Sequence, residues 1–288
     1  MRVLILGAGG MLGHKVWEVF RDRFDCLAAM RTRLPLPLFD DERVIDGFDA
    51  TNFDDVARLI GEIRPDVVVN CIGVVKQLLA AHDPIASITL NALFPHIVAR
   101  ACVEAGARMI HISTDCVFAG TRGHYAEDDV PDAADLYGRS KLLGEVVDGA
   151  LTIRTSIIGR ELRTSNGLVE WFLSNRGGSV RGFTNAIFSG VTTAVLARIL
   201  ADVIEQHPGM HGLYHVAGAP ISKYDLLMML NAATEAGVTI APDDSFVIDR
   251  SLDPTRFQAA TGLRPPDWPE MIGALAAESP RYERWRTE

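Results

Sequence analysis

The chain has 288 residues, enough to bury a large core as one big domain or two small ones. Its 48% apolar and 23% charged residues are ordinary for a soluble globular protein, and a net charge of −9 argues against a nucleic-acid binder, which needs a basic face. No apolar run approaches the roughly 20 residues of a membrane span, and the apolar start, Val3 to Leu6, is too short for a signal-peptide core and runs straight into glycines.

In chain order, Val3–Leu6, Cys26–Met30, Val44–Ile45, Val67–Asn70, Met109–Ile112 and Leu151–Arg154 read as buried strands. Between them Leu12–Phe20, Asp54–Ile63, Ile88–Ala105 and Leu136–Val147 read as helices. Strands alternating with helices predict an α/β, Rossmann-type doubly wound parallel sheet. After Ser156 the rhythm loosens, with helical patterns at Leu168–Leu173 and Thr192–Glu205, a late strand at Gly212–Val216 and a helix opening at Ser222. The Pro-rich stretch Arg264–Pro269 reads as irregular. The expected division is a nucleotide-binding domain over 1–156 and about 186–211, with a smaller C-terminal lobe over about 157–185 and 212–288. The four cysteines, Cys26, Cys71, Cys102 and Cys116, are dispersed, so reduced thiols and a cytoplasmic setting are expected.

Gly7-x-x-Gly10-x-x-Gly13 follows the first strand and opens the first helix. There the first glycine permits a tight turn and the second lets backbone approach a pyrophosphate. The third permits close helix–strand packing, with the helix N-terminus facing the anion. The turn, with Met11 and Leu12, is therefore a candidate dinucleotide site. At the end of the second strand, Met30-Arg31-Thr32-Arg33 offers no carboxylate for a ribose 2′-hydroxyl, and Arg31 favours a 2′-phosphate. NADPH is the expected cofactor, with NADH the alternative. If Arg31 and Arg33 are solvated loop charges, that preference has no basis.

Tyr137 and Lys141 stand four apart in a predicted helix and so share a face. A nearby ammonium can lower a phenol's pKa and ready it for proton exchange with a substrate oxygen. Five Tyr and four Lys would produce one fixed spacing by luck about 0.07 times per chain. Position strengthens the pair, because it falls between the fifth and sixth strands, and Ser113-Thr114-Asp115 directly follows the fifth. Parallel sheets bind ligands beyond their strands' carboxyl ends. Among the eight His, none forms a metal-spaced pair in a suitable setting: Pro208 and Gly209 separate His207 from His211, and His111 lies on a strand. No catalytic metal is expected.

With these pieces, the chain resembles the extended, nucleotide-sugar-modifying branch of the short-chain dehydrogenase/reductase superfamily, and within it the dTDP-4-dehydrorhamnose reductase-like group. The matching stretches are the Gly7/Gly10/Gly13 turn, Arg64-Pro-Asp-Val-Val-Val-Asn70, Ser113-Thr-Asp-Cys-Val-Phe118, Tyr137-Gly-Arg-Ser-Lys141, Arg154-Thr-Ser156, Gly212-Leu-Tyr-His-Val216 and Ser222-Lys-Tyr-Asp-Leu226. The resemblance implies that Thr114 hydrogen-bonds a substrate carbonyl, Tyr137 protonates its oxygen, and Lys141 holds the nicotinamide ribose. It also implies that Asp49 and Ala50 meet adenine and that Cys71, Ile72 and Gly73 line the cofactor.

Two positions depart from the pattern. Cys116 and Ile157 stand where rhamnose-forming members carry a sugar-contacting Tyr and Trp, which leaves the sugar open. Cys116 also replaces the Glu of sugar-nucleotide dehydratases. It matches the acid/base cysteine of epimerase–reductases of the GDP-fucose synthase type, but Thr164-Ser-Asn-Gly-Leu168 lacks their histidine. A thiol without a charged partner is a poor base.

The expected function is NADPH-dependent reduction of a 4-keto group on a nucleotide-activated deoxysugar. Substrate contacts would come from Thr114, Asp115, Cys116, Ser156, Ile157, Lys76, Gln77 and Asn91, under a lobe that includes Leu168–Trp171. The alternatives are an epimerase or epimerase–reductase, and a non-catalytic cofactor-holding regulatory subunit like that of methionine adenosyltransferase. The expected partner is the nucleotide sugar, with neither nucleic acid nor membrane, and a homodimer is left open.

Overall fold

Along β1 (Arg2–Leu6), Val3 and Ile5 enter one hydrophobic core while Leu4 and Leu6 enter another, so this strand must be covered on both faces. In the computed structural model, which describes residues 1–75 and 83–287, helices provide that cover. The first half continues with α1 (Gly13–Phe20), β2 (Asp25–Ala29), β3 (Val44–Ile45), α2 (Phe53–Ile63) and β4 (Val67–Asn70). Next, α3 (Pro84–Ser87) runs through a π-helical stretch, Ile88–Leu93, into α4 (Phe94–Ala105). Then come β5 (Arg108–Ile112), α5 (Leu136–Leu143) and β6 (Ala150–Arg154).

The second half holds β7 (Ile157–Ile158), α6 (Leu168–Leu173), β8 (Ser179–Phe183), β9 (Ala186–Phe188), β10 (Val191–Thr192) and α7 (Thr193–Gln206). It ends with β11 (Gly212–His215), β12 (Ile221–Ser222), α8 (Lys223–Thr234), β13 (Thr239–Asp243), β14 (Ile248–Asp249), α9 (Thr255–Thr261) and α10 (Trp268–Thr287).

Seven strands form one all-parallel sheet in the order β11-β6-β5-β4-β1-β2-β3. Val16, Trp17 and Phe20 of α1 join Leu196, Ile199 and Leu200 of α7 in the core with Val3 and Ile5. Val56 and Ile60 of α2 join Phe94 and Val98 of α4 in the core with Leu4 and Leu6. Strand order reverses between β1 and β4, which opens a crevice at their carboxyl ends, and that is where doubly wound sheets take ligands. Outside the sheet, β9 pairs with β12 and β14, β8 with β13, and β7 with β10.

Three expectations change. Gly212–His215 pairs with β6 as an edge strand of the large sheet, so it does not belong to the C-terminal lobe, while β9, expected in the nucleotide-binding domain, lies outside that sheet. An edge strand is covered on one side only, and Leu213 and Tyr214 are correspondingly half-buried. The helix carrying Tyr137 ends at Leu143 rather than Val147, because Gly144 abuts the Asn91 carbonyl: a Cβ there would lie 1.9 Å from that oxygen. Finally, the 22-residue helix Pro84–Ala105, of mean hydropathy 1.3, is long and apolar enough to cross a membrane by length and composition, contrary to the expectation that no run approaches one. Its Phe94, Val98, Ala101 and Cys102 are buried in the core beside Leu4 and Leu6, which accounts for much of that apolarity.

Candidate active site

The Thr114–Tyr137 contact is built from two local devices. Thr114 caps the short 3-10 turn Asp115–Val117 after β5, its Oγ1 accepting from the Cys116 N–H at 3.1 Å. Asp135 caps α5, accepting from the Gly138 N–H at 2.8 Å. Gly138 then lets the helix press on the turn: a Cβ there would lie 2.2 Å from the Cys116 carbonyl. As a result the half-buried Tyr137 hydroxyl shares a hydrogen bond with Thr114. One helical turn on, Lys141 is only 5% exposed and donates from Nζ to the Ile112 carbonyl at 2.8 Å, at the end of β5.

The electrostatics differ from the expectation that the lysine lowers the phenol's pKa. Burial pushes Tyr137 above its ordinary value, Cys116, Asp115 and Asp135 add to that push, and the Thr114 hydrogen bond opposes it. The Lys141 ammonium is turned to the Ile112 carbonyl. Burial pulls Lys141 down to about 8, with Glu145 and Cys71 opposing. Tyr137 is thus held as a protonated acid. Behind it, Glu145 receives Arg154 through two hydrogen bonds of 2.8 Å and the Ser113 hydroxyl at 2.6 Å, which braces the ends of β5 and β6.

The glycine turn fits a dinucleotide. Gly7 has φ +88°, and a Cβ there would meet Ile72 Cγ1 at 2.7 Å; at Gly13 it would lie 2.0 Å from the Gly7 carbonyl. Gly9 faces open space. Ile72 is positioned by its N–H donating to Asn70 Oδ1 at 3.0 Å, and Gly73 approaches Lys141 closely enough that a Cβ would lie 3.8 Å from Nζ. The switch point therefore gathers Gly7, Gly10, Met11, Leu12, Gly13, Cys71, Ile72 and Gly73.

At the outer end the two arginines part company. Both are exposed, but Arg33 is tied down, its guanidinium on the Val44 carbonyl and its N–H on Asp46. Asp49 lies within electrostatic reach of Arg31, but its Oδ1 is taken by the Thr51 N–H and hydroxyl, at 2.9 and 2.8 Å. Ala50 follows it, half-buried.

On the substrate side, the structure reassigns several residues. Asn91 is fully buried, bonded to Val74 N and O at 2.8 and 3.0 Å and to Ser140 Oγ at 3.3 Å. It locks the loop after β4 to α5 and does not reach a substrate. Asp115 is 5% exposed and accepts from Thr114 Oγ1 at 3.2 Å, so it stands behind Thr114. Cys116, Ser156 and Ile157 are partly exposed. Lys76 and Gln77 lie outside the described residues. His111 is fully buried with Nδ1 3.1 Å from Asn70 Nδ2, a core role.

Two cations escaped the sequence expectations. Arg250, just after β14, donates to the Phe118 carbonyl at 2.8 Å and places Nη1 3.6 Å from Cys116 Sγ. Lys223, the first residue of α8, rests its ammonium 3.3 Å from the Phe188 ring centroid, and its charge acts on Asp115 and Cys116. Burial pulls Lys223 down to about 8. The Ser222–Leu226 stretch carried a signal for Lys223; Arg250 follows a two-residue strand, which has no periodicity to read.

Comparison with known proteins agrees with this geometry. The chain is 28% identical to a dTDP-4-dehydrorhamnose reductase of Aggregatibacter actinomycetemcomitans, over 96% of the chain and 98% of that protein. It is also 28% identical to the methionine adenosyltransferase 2 subunit beta of Bos taurus, over 78% of the chain and 70% of that protein. A crystal structure of a Bacillus anthracis dTDP-4-dehydrorhamnose reductase in complex with NADP superposes with a TM-score of 0.82 at 24% identity, covering 96% of this chain and 99% of that one. A family model described as the RmlD substrate binding domain matches residues 1–279, and the chain belongs to that family.

Proposed function

We propose that the protein is an NADPH-dependent reductase of a 4-keto group on a nucleotide-activated deoxysugar, working in the cytoplasm. The observation that carries this reading is the hydrogen-bonded Thr114–Tyr137 pair, partly open at the carboxyl ends of the strands, with the Lys141 ammonium one turn behind it. A phenol held protonated by burial is an acid, and it donates its proton as negative charge develops on a carbonyl oxygen. Thr114 would offer a second hydrogen bond to the same oxygen by turning its single hydroxyl proton away from Asp115. NADPH, when bound, supplies the hydride. Gly7 to Gly13 would take its pyrophosphate, exposed Arg31 its 2′-phosphate, Asp49 and Ala50 its adenine side, and Lys141 the nicotinamide ribose. Ser156, Ile157 and the lobe built on β8, β9 and β12 to β14 face the sugar nucleotide.

At the same 28% identity the reductase aligns with 96% of the chain and the regulatory subunit with 78%, which favours the reductase, and the site agrees. An acid, a polarising hydroxyl and a lysine one helical turn from the acid are the equipment of turnover. The test is NADPH oxidation against a panel of 4-keto nucleotide sugars, with Tyr137→Phe beside the wild type. The variant should lose on the order of 10²–10⁴ in kcat and keep its NADPH affinity. Near-normal turnover by the variant removes Tyr137 from the chemistry, and binding without oxidation of any sugar favours the regulatory reading.

A second reading, epimerase–reductase, rests on Arg250. Its guanidinium lies 3.6 Å from Cys116 Sγ and is the positive neighbour that a reactive thiol requires, in place of the missing histidine. In that case carbons beside the ketone exchange hydrogen with solvent before reduction, and Cys116→Ser slows the exchange at least tenfold while reduction persists. Reduction in deuterated water with no label at those carbons rules it out.

A further inference from the structure

The glycine turn is held from the far end of the chain. His14, in the first turn of α1, is fully buried, with Nδ1 2.8 Å from the Gly10 carbonyl and Nε2 2.6 Å from the Tyr282 hydroxyl on α10. Burial pushes His14 down to about 4, so its imidazole is neutral at ordinary pH and has one N–H and one lone pair in the ring plane. A carbonyl can only accept, which places the proton on Nδ1. Nε2 must then accept, and the Tyr282 phenol donates to it. The result is a directed relay, Tyr282 O–H to His14 Nε2 and His14 Nδ1–H to Gly10 C=O, in which no alternative polarity satisfies every atom.

The Gly10 carbonyl also accepts the His14 backbone N–H at 3.1 Å, so it is fixed from the helix side. Carbonyl and N–H of one trans peptide point in opposite directions. Fixing the Gly10 oxygen toward the helix therefore aims the Met11 N–H the opposite way, out of the first turn of α1. That N–H belongs to the N-terminus of α1, where an anion is bound by aligned backbone donors. Around the relay, Lys15 bonds both Glu18 and Glu278, at 2.6 and 2.8 Å, and Arg281 pairs with Glu18, so α10 is anchored to α1 in the turn that leads into Tyr282.

We propose that His14 and Tyr282 are positioning residues for the cofactor, setting the Gly10–Met11 peptide for pyrophosphate and making dinucleotide affinity depend on the docking of α10. This rests on the dinucleotide site of the proposed function, but on neither the sugar nor the direction of reaction.

The experiment is direct binding of NADPH, and of NADH in parallel, to the wild type, Tyr282→Phe, His14→Asn and the double variant, with Tm and steady-state kinetics on each. Tyr282→Phe keeps the ring and removes the donor, so Kd for both dinucleotides should rise about 3- to 10-fold. At saturating NADPH, kcat and the sugar KM should stay within twofold. Asn at position 14 can still donate to the Gly10 carbonyl but falls short of Tyr282, so Tyr282→Phe on that background should change Kd less than twofold. A folded Tyr282→Phe protein with wild-type Kd overturns the inference, and so does an equal loss in both backgrounds. A parallel loss of kcat and sugar KM marks general loosening of the fold and overturns it too. Failure of the wild type to bind either dinucleotide defeats the cofactor reading itself, a separate outcome.

Discussion

Lys141 shows how one buried charge can act on function and on stability with opposite signs. Its ammonium is the form that donates to the Ile112 carbonyl, and burial lowers its pKa from 10.5 to about 8. An unfolded lysine keeps its proton to about 10.4. Between these values the unfolded chain binds more protons than the folded one, so this group makes stability rise with pH over that window. The penalty of the buried charge is fully present below about 8 and is relieved above it. Function runs the other way, because the ammonium that would hold the ribose is lost as pH rises through about 8. The kcat/KM for NADPH reports the free enzyme and should fall roughly tenfold per unit above that point. Lys223, also near 8, titrates in the same range on the Asp115–Cys116 side. Lys141→Met should therefore abolish the alkaline limb from an already low plateau, while Lys223→Met should keep it. A limb that survives in Lys141→Met assigns it elsewhere.

At the scale of elements, what could be read in advance tracks where the hydrophobic signal is strong. The strands of the large sheet are short apolar runs buried on two faces, and Val67–Asn70 and Val44–Ile45 have the bounds expected of them. The three-glycine turn and the Tyr137–Lys141 helix were legible because backbone geometry restricts the residue types that can stand there. The small sheets were not: β7, β10, β12 and β14 have two residues each, too few to display a period. The long helix α10 was missed for another reason. Arg264–Pro269 reads as irregular, and Pro280 and Gly273 interrupt the helical propensity beyond it. Yet Trp268, Met271, Ile272, Leu275, Tyr282 and Trp285 are buried at spacings of three, four and seven, a stripe that was present in the sequence. The partners that tune the site, Arg250 and His14, were illegible because Arg250 meets Phe118 and His14 meets Tyr282 across more than a hundred residues of chain. No local pattern announces such contacts.

Across the whole molecule, the loop after β7, α6 and α10 meet in one ionic cluster beside the glycine turn. Arg160 Nε lies 2.5 Å from Glu170 Oε1, with both side chains at most 4% exposed. Glu170 also accepts the Glu161 N–H at 3.1 Å and faces Arg286 at 3.5 Å, while Arg286 donates to the Glu161 and Thr164 carbonyls at 2.9 and 2.7 Å. Gly167, held by Glu161, in turn packs on Met11: a Cβ there would lie 3.4 Å from Met11 Sδ. Removing one member leaves a buried charge without its partner, and that loss costs about 3–5 kcal/mol. The exposed pair Arg176–Glu283, at 44% and 54%, is worth only about 0–1 kcal/mol. Glu170→Ala should therefore lower Tm by on the order of 10 °C, whereas Arg176→Ala should shift it by no more than about 3 °C. Because the cluster borders Met11 and not Tyr137, folded Glu170→Ala protein should bind NADPH more weakly and keep its kcat at saturation. Equal melting temperatures for the two variants would mean that the cluster is hydrated and screened like the surface pair. The C-terminal helix would then be held to the nucleotide-binding half chiefly by its contacts with α1 through Glu278, Arg281 and Tyr282.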